Sequence, residues 1–127
     1  MFSAVAEQMG GVDYQTAVKV SCGFGGGMYL GSVCGAVTGG IMAIGLKYGG
    51  AGMQANIQTA KVVREFADRF KEKHKSINCT DLTGFDLSKI DFNKPEQLKG
   101  VADQKGFANC LGYVRTAAAI ASEMLKA

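Results

Sequence analysis

Apolar and polar residues follow the period of an α-helix along most of this chain. Between residues 53 and 74 the charged residues fall on one helical face, and five apolar residues fall on the other: Ile57, Ala60, Val63, Ala67 and Phe70. This spacing predicts an amphipathic helix with a solvated charged face. No segment shows the two-residue alternation of a strand, and the chain has no internal repeat.

The first twenty residues predict two short helices. Residues 2–9 form a helical pattern that Gly10 and Gly11 end. Asp13 follows as a candidate N-cap, because its carboxylate is able to accept from the unpaired amides of a first turn. A second helix is therefore expected over residues 14–21.

A glycine-rich segment at residues 22–28 precedes the most apolar part of the chain. Each glycine costs roughly 1 kcal/mol relative to alanine inside a helix, so this segment is expected to be a loop. Its backbone must either turn through positive φ or approach another group closely. From Ser32 the pattern becomes that of a buried helix, which ends at Gly49 and Gly50.

The second half of the chain is less regular. Residues 76–94 are expected to be irregular, with turns built on Asn78, Asp81, Gly84 and Asp86. Pro95 is suited to the first position of a short helix, and a last helix is expected from about Phe107 to Leu125. The fold class is therefore all-α. Residues 1–127 are expected to form one domain, a compact bundle of about five helices with a glycine-rich loop before a buried central helix.

A membrane span is the main alternative for the apolar region. The 27 residues between Lys19 and Lys47 carry no charge, and a stretch of this length is able to cross a bilayer. Glycines recur there at four-residue spacing, as in packed membrane helices. Gly25 and Gly26 interrupt the segment, however. We therefore interpret the glycine rhythm as that of a buried helix in a soluble protein, packed closely against another helix or a bound centre.

Charge and short motifs exclude several classes of function. The net charge is +3, from 14 basic and 11 acidic residues, and most of the surplus lies in one helical stretch. The sequence therefore predicts neither nucleic-acid binding nor an anionic membrane surface as partner. No hydrolase triad, HExxH sequence or Walker sequence is present. The only histidine, His74, is expected to cap the carbonyls at a helix C-terminus.

Four cysteines carry the candidate chemistry. The first residues show no signal-peptide pattern, so a cytoplasmic location is expected. Cysteines in that reducing compartment serve more often as metal ligands or catalytic thiols than as structural bridges. Cys34 is expected near the start of the buried helix, where unpaired amides favour the thiolate. Cys110 is expected near the start of the last helix, and Cys79 falls in the irregular segment.

Two further sets of residues belong to this candidate site. Cys22 is interpreted mainly as a small buried hydrophobe, with a role as an additional thiol as the alternative. The loop glycines would let backbone amides approach sulfur atoms, as sulfide-containing clusters require. These glycines are Gly25, Gly26, Gly27, Gly31 and Gly35. Because 45 residues separate Cys34 from Cys79 and 31 separate Cys79 from Cys110, only tertiary structure could bring the three thiols together.

The cysteines fall within motifs that resemble a known family. The motifs occur in a fixed order: Gly-Phe-Gly-Gly-Gly-Met at 23–28, Cys-Gly-Ala-Val-Thr-Gly at 34–39, Ile-Asn-Cys at 77–79 followed by Leu82, and finally Cys110. In this order they resemble the C_GCAxxG_C_C family of redox-active proteins, over nearly the whole chain. By this resemblance, Cys34, Cys79 and Cys110 correspond to the last three cysteines of the family pattern. It also implies a [2Fe–2S] cluster, which a related domain of split-Soret cytochromes binds.

The sequence departs from that pattern at its start. The family's first cysteine would fall a few residues before Ala4, where this chain has already begun. Either the start is truncated or misassigned, or the fourth thiolate is absent. Cys22 is the candidate replacement. With three thiolates only, a zinc site or dithiol chemistry becomes the alternative to a four-cysteine cluster.

Three functions follow from these observations. The leading one is an electron-transfer or redox-accessory protein that holds an iron–sulfur or similar thiolate-ligated centre and works with an unidentified redox partner. The second is a metal-free dithiol/disulfide oxidoreductase. The third is a non-enzymatic helical module that binds a partner and merely buries its cysteines. A homodimer is also expected, because a glycine-rich buried helix and a short first helix leave apolar surface to cover.

Overall fold

The computed structural model describes residues 1–102 and 108–126, without the side chains of residues 100–102. Within these ranges the chain folds into seven α-helices: α1 Phe2–Met9, α2 Tyr14–Ser21, α3 Gly35–Tyr48, α4 Met53–His74, α5 Cys79–Thr83, α6 Pro95–Ala102 and α7 Cys110–Met124. The described residues contain no β-sheet, only one isolated antiparallel bridge between Val33 and Asn78. The all-α prediction is therefore confirmed, with more helices than the five expected.

The boundaries of the first two helices agree with the sequence prediction. Gly10 ends α1 with φ of 76°, and its amide bonds back to Ala6 O. Asp13 caps α2, since its carboxylate accepts from the Thr16 amide at 2.8 Å. Both features are local. A glycine with positive φ ends α1, and a carboxylate accepts from an unpaired amide in the first turn of α2.

The glycine-rich segment turns through positive φ, as predicted. A 3₁₀ turn at Cys22–Phe24 leads into a tight turn at Gly27–Gly31. φ is positive at Gly26, Gly27 and Gly31. The non-glycine residues Met28 and Tyr29 share this conformation, with φ of 62° and 55°.

The glycines at four-residue spacing do not belong to one helix, which corrects the interpretation of that rhythm. Gly23, Gly27 and Gly31 lie in the two turns, and only Gly35 and Gly39 lie in α3. The predicted start of this helix at Ser32 is also wrong. Residues 32–34 are extended where they bridge to residues 77–79, so α3 begins at Gly35. Among the residues that the structure describes, no helix is long and apolar enough to cross a membrane.

Close packing around α3 forms the core, as expected for the buried central helix. α3 contacts α1, α4 and α7. A Cβ atom on Gly40 would enter the ring of Phe66, and one on Gly39 would lie 3.2 Å from the Phe2 amide nitrogen. Neighbouring helices therefore approach α3 where it has no side chain.

The predicted apolar face of α4 is buried only in the C-terminal half of the helix. Phe66 and Phe70 are fully buried, whereas Ile57 is 49% exposed. The N-terminal half of α4 extends past the core, since Met53 is 72% exposed there. Helical period alone does not show where along a long helix its neighbours end.

The segment at residues 76–94 is more ordered than predicted. It contains α5 and a 3₁₀ turn at Leu87–Lys89. Asn78 and Gly84, which the sequence suggests as turn residues, are the N-cap and the left-handed C-cap of α5. Pro95 begins α6 as predicted. The last helix begins at Cys110, and Phe107, its predicted start, lies outside the described residues.

Candidate functional site

A cavity of about 280 Å³ lies where the starts of α3, α5 and α7 meet, and three of the four cysteines line it. Cys34 is the N-cap of α3, Cys79 is the first residue of α5, and Cys110 is the first residue of α7. Met1 and Phe2, at the start of α1, also contribute to its wall. Residues far apart in sequence thus share one half-open cavity.

The isolated bridge holds Cys34 and Cys79 next to each other. The Cys34 amide donates to Ile77 O at 2.7 Å, and the Cys79 amide donates to Ser32 O at 2.6 Å. Both cysteines flank the paired residues Val33 and Asn78. In this antiparallel pairing Cys34 lies opposite Ile77 and Cys79 lies opposite Ser32, so the two cysteines are diagonal neighbours across the bridge.

The glycine turn packs directly against the start of α5. A Cβ atom on Gly27 would lie 2.5 Å from Ser32 N and 2.8 Å from the Cβ of Cys79. The hydroxyl of Thr80 donates to Gly31 O at 2.9 Å. The close approach predicted for this segment is therefore to the helix that carries Cys79.

Tyr113 connects the helix of Cys110 with the helix of Cys79. It follows Cys110 by three residues, so the two side chains share a face of α7. Its hydroxyl donates to Leu82 O, the last but one residue of α5, at 2.9 Å. This hydrogen bond fixes α7 relative to α5 at the wall of the cavity.

Burial and mutual repulsion disfavour the thiolate at two of the cysteines. Burial raises the pKa of Cys79, and repulsion from Cys34 adds to this against a partial offset from a hydrogen bond with Thr83. Burial also raises the pKa of Cys110, with further repulsion from Cys34 and Cys79. The mutual repulsion means that the three sulfurs act on one another electrostatically.

Cys22 lies outside this arrangement. Its side chain is exposed and does not line the cavity, so the expectation that it is buried is wrong. Of the five predicted site glycines, Gly25, Gly26 and Gly35 line the cavity. Gly27 and Gly31 support α5 from outside it instead.

His74 does not cap the end of α4. Its Nε2 lies 2.9 Å from the hydroxyl oxygen of Thr116 on α7, and its ring meets that of Tyr113 edge to face at 4.8 Å. Lys75, in the left-handed conformation, ends the helix instead. His74 therefore packs between α4 and α7, and it does not line the cavity.

The thiols surround a shared space rather than a single point. Within residues 1–102 and 108–126, no group of three or more His, Cys, Asp or Glu side chains is arranged to hold a metal ion. The cavity is also much larger than one ion.

Several residues that line the cavity were not identified from the sequence. Tyr113 and Thr83 follow Cys110 and Cys79 by three and four residues, a helical spacing that would have indicated them had α5 been recognised. Met1, Phe2 and Met42 reach the same cavity only through the packing of α1 against α3. No local pattern signals that contact.

Comparison with known proteins identifies one family. The family described as "Putative redox-active protein (C_GCAxxG_C_C)" matches residues 1–124. Neither the curated proteins nor the solved structures gave a match to this chain. The matched range includes all three cavity cysteines and nearly the whole chain.

Proposed function

Because the chain belongs to the C_GCAxxG_C_C family, we propose that Cys34, Cys79 and Cys110 carry its redox chemistry as ligands of an iron–sulfur centre. The observation that carries this proposal is the placement of all three thiols on one cavity. They come from three separate helices, so only the folded chain presents them together. Electron transfer to an unidentified redox partner is the role we assign.

The residues present are compatible with such a centre. Three thiols are soft donors of the type that iron–sulfur clusters use. The cavity, at about 280 Å³, has room for a group of several atoms. When bound, an iron–sulfur centre supplies reversible electron uptake. Zinc, which thiolates also bind, is the alternative cofactor.

The electrostatics of the cavity also support a metal centre. Burial and repulsion keep Cys79 and Cys110 protonated more strongly than free thiols. A cationic centre would reverse this balance, because it offsets the repulsion between thiolates and favours their deprotonation. Cys22 is exposed away from the cavity, so the proposal assigns it no role as a ligand.

Anaerobic reconstitution with ferrous iron and sulfide tests the proposal. We expect the wild type and Cys22→Ser to take up iron and acid-labile sulfide and to absorb visible light. Cys34→Ser, Cys79→Ser and Cys110→Ser should each lose this absorption, because each removes one of the three ligands. Iron content, sulfide content and the visible spectrum are the measurements, with circular dichroism to show that each variant folds. An iron-free, colourless wild type would contradict the proposal. Iron uptake that is unchanged in Cys34→Ser would favour a non-enzymatic helical module that merely buries its cysteines.

A dithiol/disulfide oxidoreductase is the second candidate, and the bridge between Val33 and Asn78 favours it. Backbone pairing places Cys34 and Cys79 diagonally across that bridge. A disulfide requires Cα atoms within roughly 7 Å, and diagonal neighbours of an antiparallel pair lie roughly 7–8 Å apart, so a small movement of the start of α5 would join them. In this function the pair would cycle between two thiols and one disulfide, giving two electrons and two protons to an oxidant.

Oxidation of the metal-free protein tests this second candidate. We expect diamide to produce an intramolecular disulfide between Cys34 and Cys79, identified by mass mapping of a digest made without reductant. Cys22→Ser should leave its yield unchanged, because Cys22 lies outside the cavity. If the only disulfide joins two molecules through Cys22, the dithiol function is ruled out.

A further inference from the structure

The hydroxyl groups that line the thiol cavity are already engaged with the main chain. Four lining residues carry a hydroxyl, and each donates it to a carbonyl oxygen of the protein. The hydrogen bonds are Ser21 to Ala17 O at 2.7 Å, Thr38 to Gly35 O at 3.1 Å, Thr83 to Cys79 O at 2.8 Å and Tyr113 to Leu82 O at 2.9 Å. A bound molecule therefore finds no uncommitted hydroxyl donor on these side chains.

The cavity wall also lacks charged side chains. None of the described residues that line it is Lys, Arg, His, Asp or Glu. The large side chains in the wall are apolar, among them Phe2, Phe24, Met42, Leu82 and Val114. Moving a charged group from water into such surroundings without a partner is costly. An uncharged apolar molecule avoids that cost and gains from contact with the wall.

We propose that the small-molecule substrate of this cavity is uncharged and apolar, of the class of small dialkyl disulfides. The sulfur atoms of Cys34, Cys79 and Cys110 are the reactive groups that the wall presents to it. Charged disulfides, such as those of peptides that carry free carboxylates, are excluded from the same space. The reaction in this inference rests on the second proposed function, that of a dithiol/disulfide oxidoreductase. The preference for uncharged molecules depends only on the residues that line the cavity.

The reaction is thiol–disulfide exchange. One cavity thiolate attacks a sulfur of the substrate R–S–S–R, forms a mixed disulfide and releases R–S⁻. A second cavity thiolate then attacks the cysteine sulfur of that mixed disulfide, closes an intramolecular disulfide and releases the second R–S⁻. The two protons that the cysteines lose appear on two molecules of R–SH. The protein is oxidised by two electrons, and the substrate is reduced by the same two.

Three alkylthiolating reagents that differ in charge test the selectivity on the metal-free protein. These are the ethyl, 2-sulfonatoethyl and 2-trimethylammonioethyl esters of methanethiosulfonate, each of which transfers its thioalkyl group to a thiolate and releases methanesulfinate. Rates at each cysteine are measured by mass spectrometry of digests, with the exposed Cys22 as internal reference. The chain unfolded in guanidinium gives the intrinsic ratios. After correction for these intrinsic ratios, we expect the cavity thiols to react with the neutral reagent at least about tenfold faster than with either charged reagent.

A charge placed in the wall provides the matched control. Met42 is half-buried and lines the cavity, so Met42→Lys adds a cation there and Met42→Leu preserves the apolar wall. Met42→Lys should raise the rate of the anionic reagent at the cavity thiols, and Met42→Leu should not. If the folded wild type shows the same reagent ratios in the cavity as at Cys22, the inference is wrong. That result would leave iron binding and disulfide formation unaffected, because both are measured independently.

Discussion

Gly27→Ala is expected to lower the free energy of unfolding by about 2–5 kcal/mol and to displace Cys79 from the thiol cavity. Gly27 has φ of 63°, a conformation that costs a residue with a Cβ roughly 1–2 kcal/mol. The added methyl group would also lie 2.5 Å from Ser32 N and 2.8 Å from the Cβ of Cys79. Such overpacking typically costs about 1–3 kcal/mol more. Urea unfolding measures the loss, and the rate at which Cys79 is alkylated reports the displacement.

Gly10→Ala is the control for Gly27→Ala. Gly10 also has positive φ, at 76°, but a Cβ atom there meets nothing within 4 Å. Because Gly10 combines this φ with ψ of 176°, a region that only glycine occupies readily, we expect a loss of about 1–3 kcal/mol from conformation alone, with no change in Cys79 alkylation. An unchanged Cys79 in Gly27→Ala would show that the glycine turn does not position α5.

Gly40→Ala is expected to destabilise the protein through the core rather than through the site. Its Cβ would enter the ring of Phe66, which is fully buried. Gly45→Ala, in the same helix, meets nothing within 4 Å and should stabilise by up to about 1 kcal/mol through helix propensity. Since both variants share that gain, the difference between them reports overpacking, about 1–3 kcal/mol.

A second change at the ring checks the assigned cause. In Gly40→Ala combined with Phe66→Leu, the smaller side chain leaves room for the new methyl group. The two changes should therefore cost less together than the sum of their separate effects, because they share one contact. Urea unfolding gives the free energies of the wild type, the two single variants and the double variant. The midpoints are comparable when the slope of free energy against urea concentration is the same in all four. If the two losses in stability were additive, the effect of Gly40→Ala would not arise from its contact with Phe66.

Local sequence was sufficient for most helix boundaries and insufficient for one helix. The ends of α1 and α2 depend on Gly10 and on Asp13, whose effects act within one turn. α5 spans only five residues, too few for a helical period to be recognised. Its caps, Asn78 and Gly84, are residue types that turns also favour. Pairing of residues 32–34 with residues 77–79, which the sequence does not show, anchors the start of this helix.

The glycine-rich segment also has one feature that local sequence predicts and one that only the folded structure decides. Its composition indicates positive φ or close approach, because only glycine tolerates both without strain. One partner of the close approach at Gly27 is a long-range neighbour, Cys79. The four-residue spacing of the glycines indicates one helix, whereas the composition of residues 22–28 indicates a loop. The loop prediction is confirmed, because positive φ at successive residues cannot continue a right-handed helix.

For this protein the sequence by itself determined the all-helical fold, because helical period and end caps act over a few residues. It also supplied the cysteine motifs by which the family is recognised. Tertiary structure decided which cysteines share a space. Cys22 lies in the glycine-rich segment yet remains exposed, whereas Cys34, Cys79 and Cys110 line one cavity despite their long separations. Backbone pairing, the close approach at Gly27 and the Tyr113 hydrogen bond produce that cavity, and each joins segments that only folding brings into contact.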